Sequence, residues 1–259
     1  MTDFAELHSG PLPLLLPNAW DVPSALAFAA AGYPAVGTTS LGVASSHGRP
    51  DGDRGTRDAN LALARALVRL PVPLSVDSED GYADDPDEVA AYVTELAALG
   101  VAGVNLEDST AGRLVDPSAF ADRVAAVKAA APGVFVNARV DTYWFHQDET
   151  VRATLARATA YVEAGADGVF LPGLSDPDTI RAITSGVPVP VNVLPVAGAS
   201  LADLAALGVR RVSTGSLPYR AALATALEAA RAIRDRSALP ASVAYADLQA
   251  DLTAYAGGA

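Results

Sequence analysis

Three carboxylates lie within four residues where the apolar run Val72-Pro73-Leu74-Ser75-Val76 gives way to Asp77-Ser78-Glu79-Asp80-Gly81-Tyr82. A buried strand that ends in acid delivers carboxylates to one end of a sheet, where they suit a hard divalent cation that takes oxygen ligands. A polar loop capping the next helix would use the same letters, so the reading depends on what else the chain supplies. Asn105-Leu106-Glu107-Asp108 and Asn137-Ala138-Arg139-Val140-Asp141 also sit at the ends of apolar runs, and Thr38-Thr39-Ser40-Leu41-Gly42 adds hydroxyls. Carboxylates around a cation with one guanidinium opposite form an arrangement for binding an anion on a metal. The metal polarises a carbonyl, and the arginine fork holds a carboxylate or a developing oxyanion. Thr39, Ser40 and Leu41 offer hydroxyl and backbone N–H donors to the same anion.

Those residues need a scaffold that brings strand ends together. Ala31-Gly32-Tyr33-Pro34-Ala35-Val36, Leu99-Gly100-Val101-Ala102-Gly103-Val104, Ala164-Gly165-Ala166-Asp167-Gly168-Val169 and Leu207-Gly208-Val209-Arg210-Arg211-Val212 share one pattern. Each is a helix end, a glycine just past it, two connecting residues and a buried strand. Helix starts recur as well, at Asp21-Val22-Pro23-Ser24, Asp85-Pro86, Asp116-Pro117 and Asp176-Pro177, each a capping acid near a proline. Strands are expected at 14–17, 35–38, 74–76, 103–106, 134–138, 168–171, 189–193 and 211–214. This repeat predicts an α/β fold, a (β/α)8 TIM barrel, with its site at the C-terminal ends of the strands. No Gly-x-Gly-x-x-Gly follows an early strand, which argues against an open dinucleotide-binding sheet. The expectation is one barrel over 1–259, with 238–259 a helical extension running from Ser242, as N-cap, to Tyr255 and closed by Gly257-Gly258.

Composition narrows the chemistry. With no cysteine, disulfides, thiolate metal sites and cysteine nucleophiles are excluded. Of 18 basic residues only Lys128 is a lysine, and its Ala-rich helical surroundings do not place it at a strand end. Schiff-base chemistry requires an active-site amine, so enolate or carbanion chemistry in this chain calls for a metal. A net charge of −12 disfavours nucleic acid and anionic membranes as partners. No apolar run is long enough to span a bilayer and no signal segment is evident, so a cytoplasmic protein is expected.

Taken together, Ser46-His47-Gly48-Arg49-Pro50-Asp51, Asp77-Ser78-Glu79-Asp80-Gly81-Tyr82, Asn105-Leu106-Glu107-Asp108-Ser109 and Ala138-Arg139-Val140-Asp141 resemble the isocitrate lyase / phosphoenolpyruvate mutase superfamily in order and spacing. Pro17-Asn18-Ala19-Trp20-Asp21 is similar to the opening of its phosphonomutase-like branch. The resemblance spans about 14–232. It implies Mg2+ or Mn2+ and a 2-oxo acid or enolate bound to the metal. It also implies Asp77 as direct metal ligand, with Glu79, Glu107 and Asp51 acting mostly through metal-bound waters, and Asp51 and Glu107 counted with Arg139 as catalytic. Arg139 is implied to stabilise the enolate, and Thr39, Ser40 and Leu41 to cradle a carboxylate. Asn192 is expected beside the substrate and Asp141 behind it. The resemblance further implies a homo-oligomer, tetramer or dimer, with the last helix exchanged between subunits.

Departures from the family decide which reaction to expect. Isocitrate and methylisocitrate lyases carry a Lys-Lys-Cys-Gly-His loop, and this chain has no counterpart. The asparagine-bearing gating loop of the phosphonate mutases is missing too. The expectation is therefore a Mg-dependent lyase that cleaves a C–C bond of a small 2-oxo- or 2-hydroxy-dicarboxylate through a metal-bound enolate. Two alternatives stand beside it: P–C chemistry on a phosphonopyruvate-like substrate, and a barrel that binds a keto acid without turnover. Of the three histidines, His8 is expected to be idle in the tail, His47 solvated in a loop and His146 part of an aromatic stretch, Tyr143-Trp144-Phe145, serving core or subunit contacts.

Overall fold

The structure, a computed structural model, describes residues 3–257. Its strands are β1 Leu14–Leu16, β2 Asn18–Ala19, β3 Val36–Thr38, β4 Leu74–Asp77, β5 Gly103–Glu107, the hairpin β6 Ser109–Thr110 and β7 Arg113–Leu114, β8 Phe135–Arg139, β9 Gly168–Leu171, β10 Val191–Val193 and β11 Arg211–Ser213. Helices α1 Val22–Ala30, α2 Ser40–Ser46, α3 Arg57–Leu67, α4 Pro86–Leu99, α5 Pro117–Ala130, α6 Val151–Glu163, α7 Pro177–Thr184, α8 Leu201–Ala206 and α9 Leu217–Asp235 alternate with them, and α10 Tyr245–Gly257 follows. The large sheet is parallel throughout, in the order β1-β11-β10-β9-β8-β5-β4-β3-β2. Its two ends, β1 and β2, are consecutive in sequence around Pro17, so the sheet returns on itself as a TIM barrel.

The expected first strand is thus one stave in two pieces. Proline has no N–H for the ladder, and the chain shifts partners there: Leu16 O accepts from Thr214 N at 3.0 Å, while Pro17 O accepts from Gly37 N on the other side at 2.8 Å. Two short elements were not anticipated. Helix α2 occupies part of the stretch read as loop, and β6–β7 forms a small hairpin at the mouth. The helix–glycine–strand joints take the geometry their sequence asks for. Gly32, Gly100, Gly165 and Gly208 all have φ between 85° and 106°, where a side chain would be strained. The caps form too: Asp21, Asp85, Asp116 and Asp176 each accept a backbone N–H in the first turn of the following helix. The last helix differs from expectation. It starts at Tyr245, with Leu248 N bonded to Ala244 O at 3.1 Å, so Ser242 does not cap it. Gly258 lies outside the described residues. Among the described residues no helix is long and apolar enough to cross a membrane.

Strand alternation sorts the core into two parts. Val36, Val76, Val104, Val136 and Val169 point outward into the main apolar cluster under the helices. The inward face is different. Register places Ser75 beside Gly103 and Phe135, Asp77 beside Asn105, Asn137 and Gly168, and Glu107 beside Arg139, Phe170, Asn192 and Arg211. Strands in a closed barrel tilt, so each row descends around it: acids and Arg139 stand at the mouth, amides and Arg211 lie below them, and Phe135 lies at the floor. Glycine makes the floor possible: a Cβ on Gly103 would stand 2.8 Å from Phe4 Cε1.

That floor is closed by the N-terminal segment, which corrects the reading of His8 as an idle tail residue. His8 is 3 % exposed, stacks on Phe135 at 4.6 Å and donates through Nδ1 to Phe4 O at 3.0 Å. Its Nε2 is buried without a partner, which suits the neutral ring. Burial, followed by the charge of Arg211, lowers its pKa to about 4. The unfolded chain therefore takes up a proton near pH 6.5 that the folded chain refuses until about pH 4, and stability falls with pH across that window. Linkage gives a loss of up to about 3 kcal/mol. Urea unfolding of the wild-type protein and His8→Phe at pH 7 and pH 4.5 should show it: because raised carboxyls such as Glu79 act in the opposite direction, the readout is the wild-type stability relative to the variant, which should fall by that amount as the pH falls.

Candidate active site at the barrel mouth

At the C-terminal ends of the strands lies a cavity of about 80 Å³. One side is polar: Thr39, Ser40, Asp51, Asp77, Asn105 and Arg139. The other is built from Trp144, Phe170, Pro172 and Leu194, and Asn18, Leu41, Ser213, Gly215 and Ser216 complete the ring. The division follows strand order, because the ends of β3, β4, β5 and β8 supply the polar arc while β9, β10 and the loop after β8 supply the apolar one.

Asp77 is aimed by its neighbours. Its N–H donates to Thr38 Oγ1 at 2.9 Å, its carbonyl accepts from Asn60 Nδ2 at 3.0 Å, and its Oδ2 accepts from Ser40 N at 2.9 Å. The other oxygen, Oδ1, accepts no hydrogen bond from the described residues, and the side chain borders the cavity. Because Ser40 N is committed to Asp77, the N-terminus of α2 orients the acid rather than offering that donor to a ligand. Asp51 lies near it on the exposed rim; desolvation in the cleft and the charge of Asp77 both raise its pKa.

Arg139 ends β8 and is clamped. Its Nη1 pairs with Glu107 Oε2 at 2.7 Å and its Nε with Asp141 Oδ1 at 2.6 Å. Asp141 is held in turn by Ser109 Oγ at 2.5 Å and contributes its N–H to Asp108 Oδ1 at 2.9 Å. The third guanidinium nitrogen, Nη2, has no partner among the described residues, and the group lies 5.7 Å from the Trp144 ring and 5.9 Å from that of Phe170. Burial pushes the Glu107 carboxyl upward against the opposing pull of Arg139.

The acids after Asp77 turn elsewhere. Glu79 is buried, accepting from Thr56 Oγ1 at 2.6 Å and Arg54 N at 3.1 Å, and burial raises its pKa to about 7. Asp80 is consumed by Arg54, Thr110 Oγ1 and the N–H of Tyr82. Arg54, Glu79 and Tyr82 all have φ between 48° and 63°. Non-glycine residues reach that region only where surrounding contacts hold them, and these hydrogen bonds fasten the loop carrying Asp51 to the turn after β4.

Of the residues expected in the site, Thr39, Ser40, Leu41, Asp51, Asp77 and Arg139 line the cavity. Glu79 and Glu107 do not, because their carboxyls are directed to Thr56 and to Arg139. Asp77, Glu79 and Glu107 are thus not gathered as one ligand set, and among the described residues no three acidic or histidine side chains form a ready cage. Asn192 is not at the cavity either. It lies a layer lower, giving Nδ2 to Ser213 Oγ at 3.0 Å and accepting Ser213 N at 3.1 Å. Trp144 is the main residue misread: it is a cavity wall, 47 % exposed, not core. Asn105, Phe170 and Ser213 were also overlooked, although strand alternation from Asp77 and Arg139 marks them as inward-facing. His47 bonds Val43 O at 2.9 Å and His146 bonds Glu149 Oε2 at 2.8 Å, both away from the cavity.

The cavity offers only oxygen donors to a cation, from Asp77 with its unengaged Oδ1 and from Asp51 nearby. That set fits a hard divalent ion such as Mg2+ or Mn2+.

A parallel barrel with acids, one arginine and an apolar wall around a small cavity at its strand ends defines the class: an α/β barrel carrying a small-molecule site at its C-terminal mouth. More particularly, the chain belongs to the phosphoenolpyruvate phosphomutase family, whose model matches residues 4–234, and so to the isocitrate lyase / phosphoenolpyruvate mutase superfamily. It is 56 % identical to an uncharacterised protein of Mycobacterium tuberculosis over 97 % of this chain and 96 % of that one. It is 31 % identical to the 2-methylisocitrate lyase of Bacillus subtilis over 73 % of this chain and 64 % of the relative. Among solved structures, a phosphonomutase-like protein of Burkholderia cenocepacia aligns with TM-score 0.82 at 40 % identity, covering 88 % of this chain and 97 % of that one. A phosphonopyruvate hydrolase in complex with oxalate and Mg2+ aligns with TM-score 0.84 at 26 % identity, over 98 % and 96 %.

Asp108, next to Glu107, has a structural task. Its carboxylate is fully buried and accepts from Arg157 Nη1 at 3.0 Å, Tyr161 OH at 2.7 Å and the Asp141 N–H. Removing it strands a buried guanidinium, so Asp108→Ala should lower unfolding free energy by about 3 kcal/mol in chemical denaturation.

Proposed function

We propose that this chain is a divalent-metal-dependent lyase that breaks a C–C bond of a small 2-oxo- or 2-hydroxy-dicarboxylate. The observation that carries the reading is the convergence, on one small cavity, of the Asp77 carboxylate and the unengaged Nη2 edge of Arg139. Asp77, with Asp51 beside it, would hold the ion, and Glu79 and Glu107 would act on it through intervening water. The ion, Mg2+ or Mn2+, supplies Lewis-acid polarisation of the substrate carbonyl.

The protein's own part is positioning and charge. Hydroxyls of Thr39 and Ser40 with the backbone at Leu41 orient the substrate carboxylate. When the C–C bond breaks, its electron pair passes toward the C2 carbonyl, and negative charge grows on that oxygen next to Arg139. Glu107 and Asp141 fix the guanidinium in advance, so no reorganisation accompanies the charge shift. In a decarboxylation the leaving fragment is CO2 and solvent protonates the carbon left behind, so no cysteine or histidine acid is needed. The apolar wall of Trp144, Phe170, Pro172 and Leu194 disfavours a charged carboxylate there and favours its departure as neutral CO2.

The same wall weighs against the second reading, P–C chemistry. A phosphonate brings up to two further charges, and Arg139 is the one cationic side chain among the described residues lining the cavity. The likeness to a phosphonopyruvate hydrolase keeps that reading in the test. Oxaloacetate and phosphonopyruvate incubated with protein and Mg2+, followed by pyruvate and phosphate release, separate the two. Pyruvate from oxaloacetate alone is the expected result; Mg2+-dependent oxalate binding with no turnover of either compound would mark a non-catalytic barrel. Asp77→Ala should abolish metal-dependent oxalate binding in calorimetry, whereas Arg139→Ala should cut turnover at least a hundredfold with metal affinity changed far less.

A homo-oligomer belongs to the same proposal. Leu223, Leu227 and Ile233 on α9, then Leu239, Val243 and Tyr245, are all more than half exposed. Helix α10 buries no residue; it meets its own chain along α1 and through Tyr255, which bonds Ala66 O and lies under Arg69. A second copy that exchanges α10 would cover this face. Light scattering should give a dimer or tetramer, and deletion of 238–259 should shift the mass downward.

A further inference from the structure

Beneath the cavity lies a cation that this mechanism leaves unused. Arg211 opens β11, points into the barrel and is 1 % exposed. Its Nε donates to Ser213 Oγ at 3.0 Å and its Nη2 to Asn105 Oδ1 at 3.3 Å. Its Nη1 is buried with no partner, and no ion pair among the described residues includes it, in contrast to Arg139 and Arg157. A buried cation without a neighbouring carboxylate is among the most costly features a core can keep. Burial lowers its pKa to about 9, against the pull of the Asp77 charge, and it stays protonated at neutral pH.

Its two partners give the reason to keep it. Asn105 and Ser213 both line the cavity. Each is steadied by a second amide, Asn137 Nδ2 on Asn105 Oδ1 at 2.9 Å and Asn192 Nδ2 on Ser213 Oγ at 3.0 Å. Because Arg211 engages Asn105 Oδ1, the amide N–H2 of Asn105 is turned away from the guanidinium; because it engages Ser213 Oγ, that hydroxyl keeps its proton for another acceptor. The guanidinium thus sets the polarity of two groups at the cavity floor and places a positive charge one residue below it.

We propose that Arg211 is a positioning residue for the ligand: it orients Asn105 and Ser213 and biases the cavity toward anions of higher charge. This rests on the reading of the cavity as an anion site. A positive charge held just beneath the cavity favours a dianion over a monoanion, an effect on the order of tenfold in affinity.

The test compares calorimetric affinities for oxalate, a dianion, and pyruvate, a monoanion, in Mg2+, for the wild-type protein, Arg211→Met and Arg211→Lys. Arg211→Met should lose roughly tenfold more affinity for oxalate than for pyruvate, and Arg211→Lys should recover the dianion preference. Equal losses for both anions, or none, would overturn the inference while leaving the cavity reading intact. Wild-type protein that binds neither anion would overturn both. If Arg211→Met does not fold, Arg211→Gln, which keeps a donor for Asn105 without the charge, replaces it with the same expectations.

Discussion

The mouth of this barrel depends on one clamped guanidinium. Asp51, Asp77, Glu107 and Asp141 would repel one another if brought together unaided, and burial raises the cost of keeping Glu107 ionised. Arg139 makes their convergence tolerable by engaging Glu107 and Asp141 directly. The pairing of β5 with β8 puts Glu107 and Arg139 at the same register position, so the ion pair is a consequence of backbone geometry. The same clamp that stabilises the fold fixes the direction of the unengaged nitrogen. Stability and function therefore draw on one set of contacts.

Around that clamp the structure separates acids that look alike in sequence. Asp77 is left with an unengaged oxygen at the cavity, whereas Asp80 is consumed by Arg54 and Asp108 by Arg157 and Tyr161. What distinguishes them is the company of basic and hydroxyl groups, which comes from distant segments. Strain is spent where the turn carrying Glu79 meets the Asp51 loop: Glu79 and Tyr82 in the turn and Arg54 in the loop hold left-handed φ values, fastened by hydrogen bonds between the two segments. Loop and turn act as one body, so a substitution in either reaches the cavity.

The barrel interior follows a second constraint. Its middle tier is built from Asn105, Asn137, Asn192, Ser213 and Arg211 in place of the branched aliphatics that usually fill such barrels. Such a tier holds only when its groups satisfy one another, and most here do. The exception in this tier is Arg211 Nη1, beneath the cavity. The N-terminal segment seals the floor with Phe4 and His8 against Phe135, which keeps the polar tier away from solvent at the far end.

The sequence by itself determined the βα repeat, the capping acids, the glycines after the helices and the strand ends from which the cavity is built. These are local rules: a capping carboxylate reaches three residues and a left-handed glycine acts where it stands. It also determined that covalent chemistry by cysteine was closed to this chain. Tertiary structure alone decided which acids face the cavity, that Glu79 and Asn192 lie behind it, that Trp144 is a wall and that His8 is buried. Outcomes such as these depend on partners 21 or more residues away, Thr56 and Arg54 for Glu79, Ser213 for Asn192, Phe135 for His8. A side chain's direction within a strand follows from alternation, but whether it is left free or neutralised follows from what the closed barrel brings beside it.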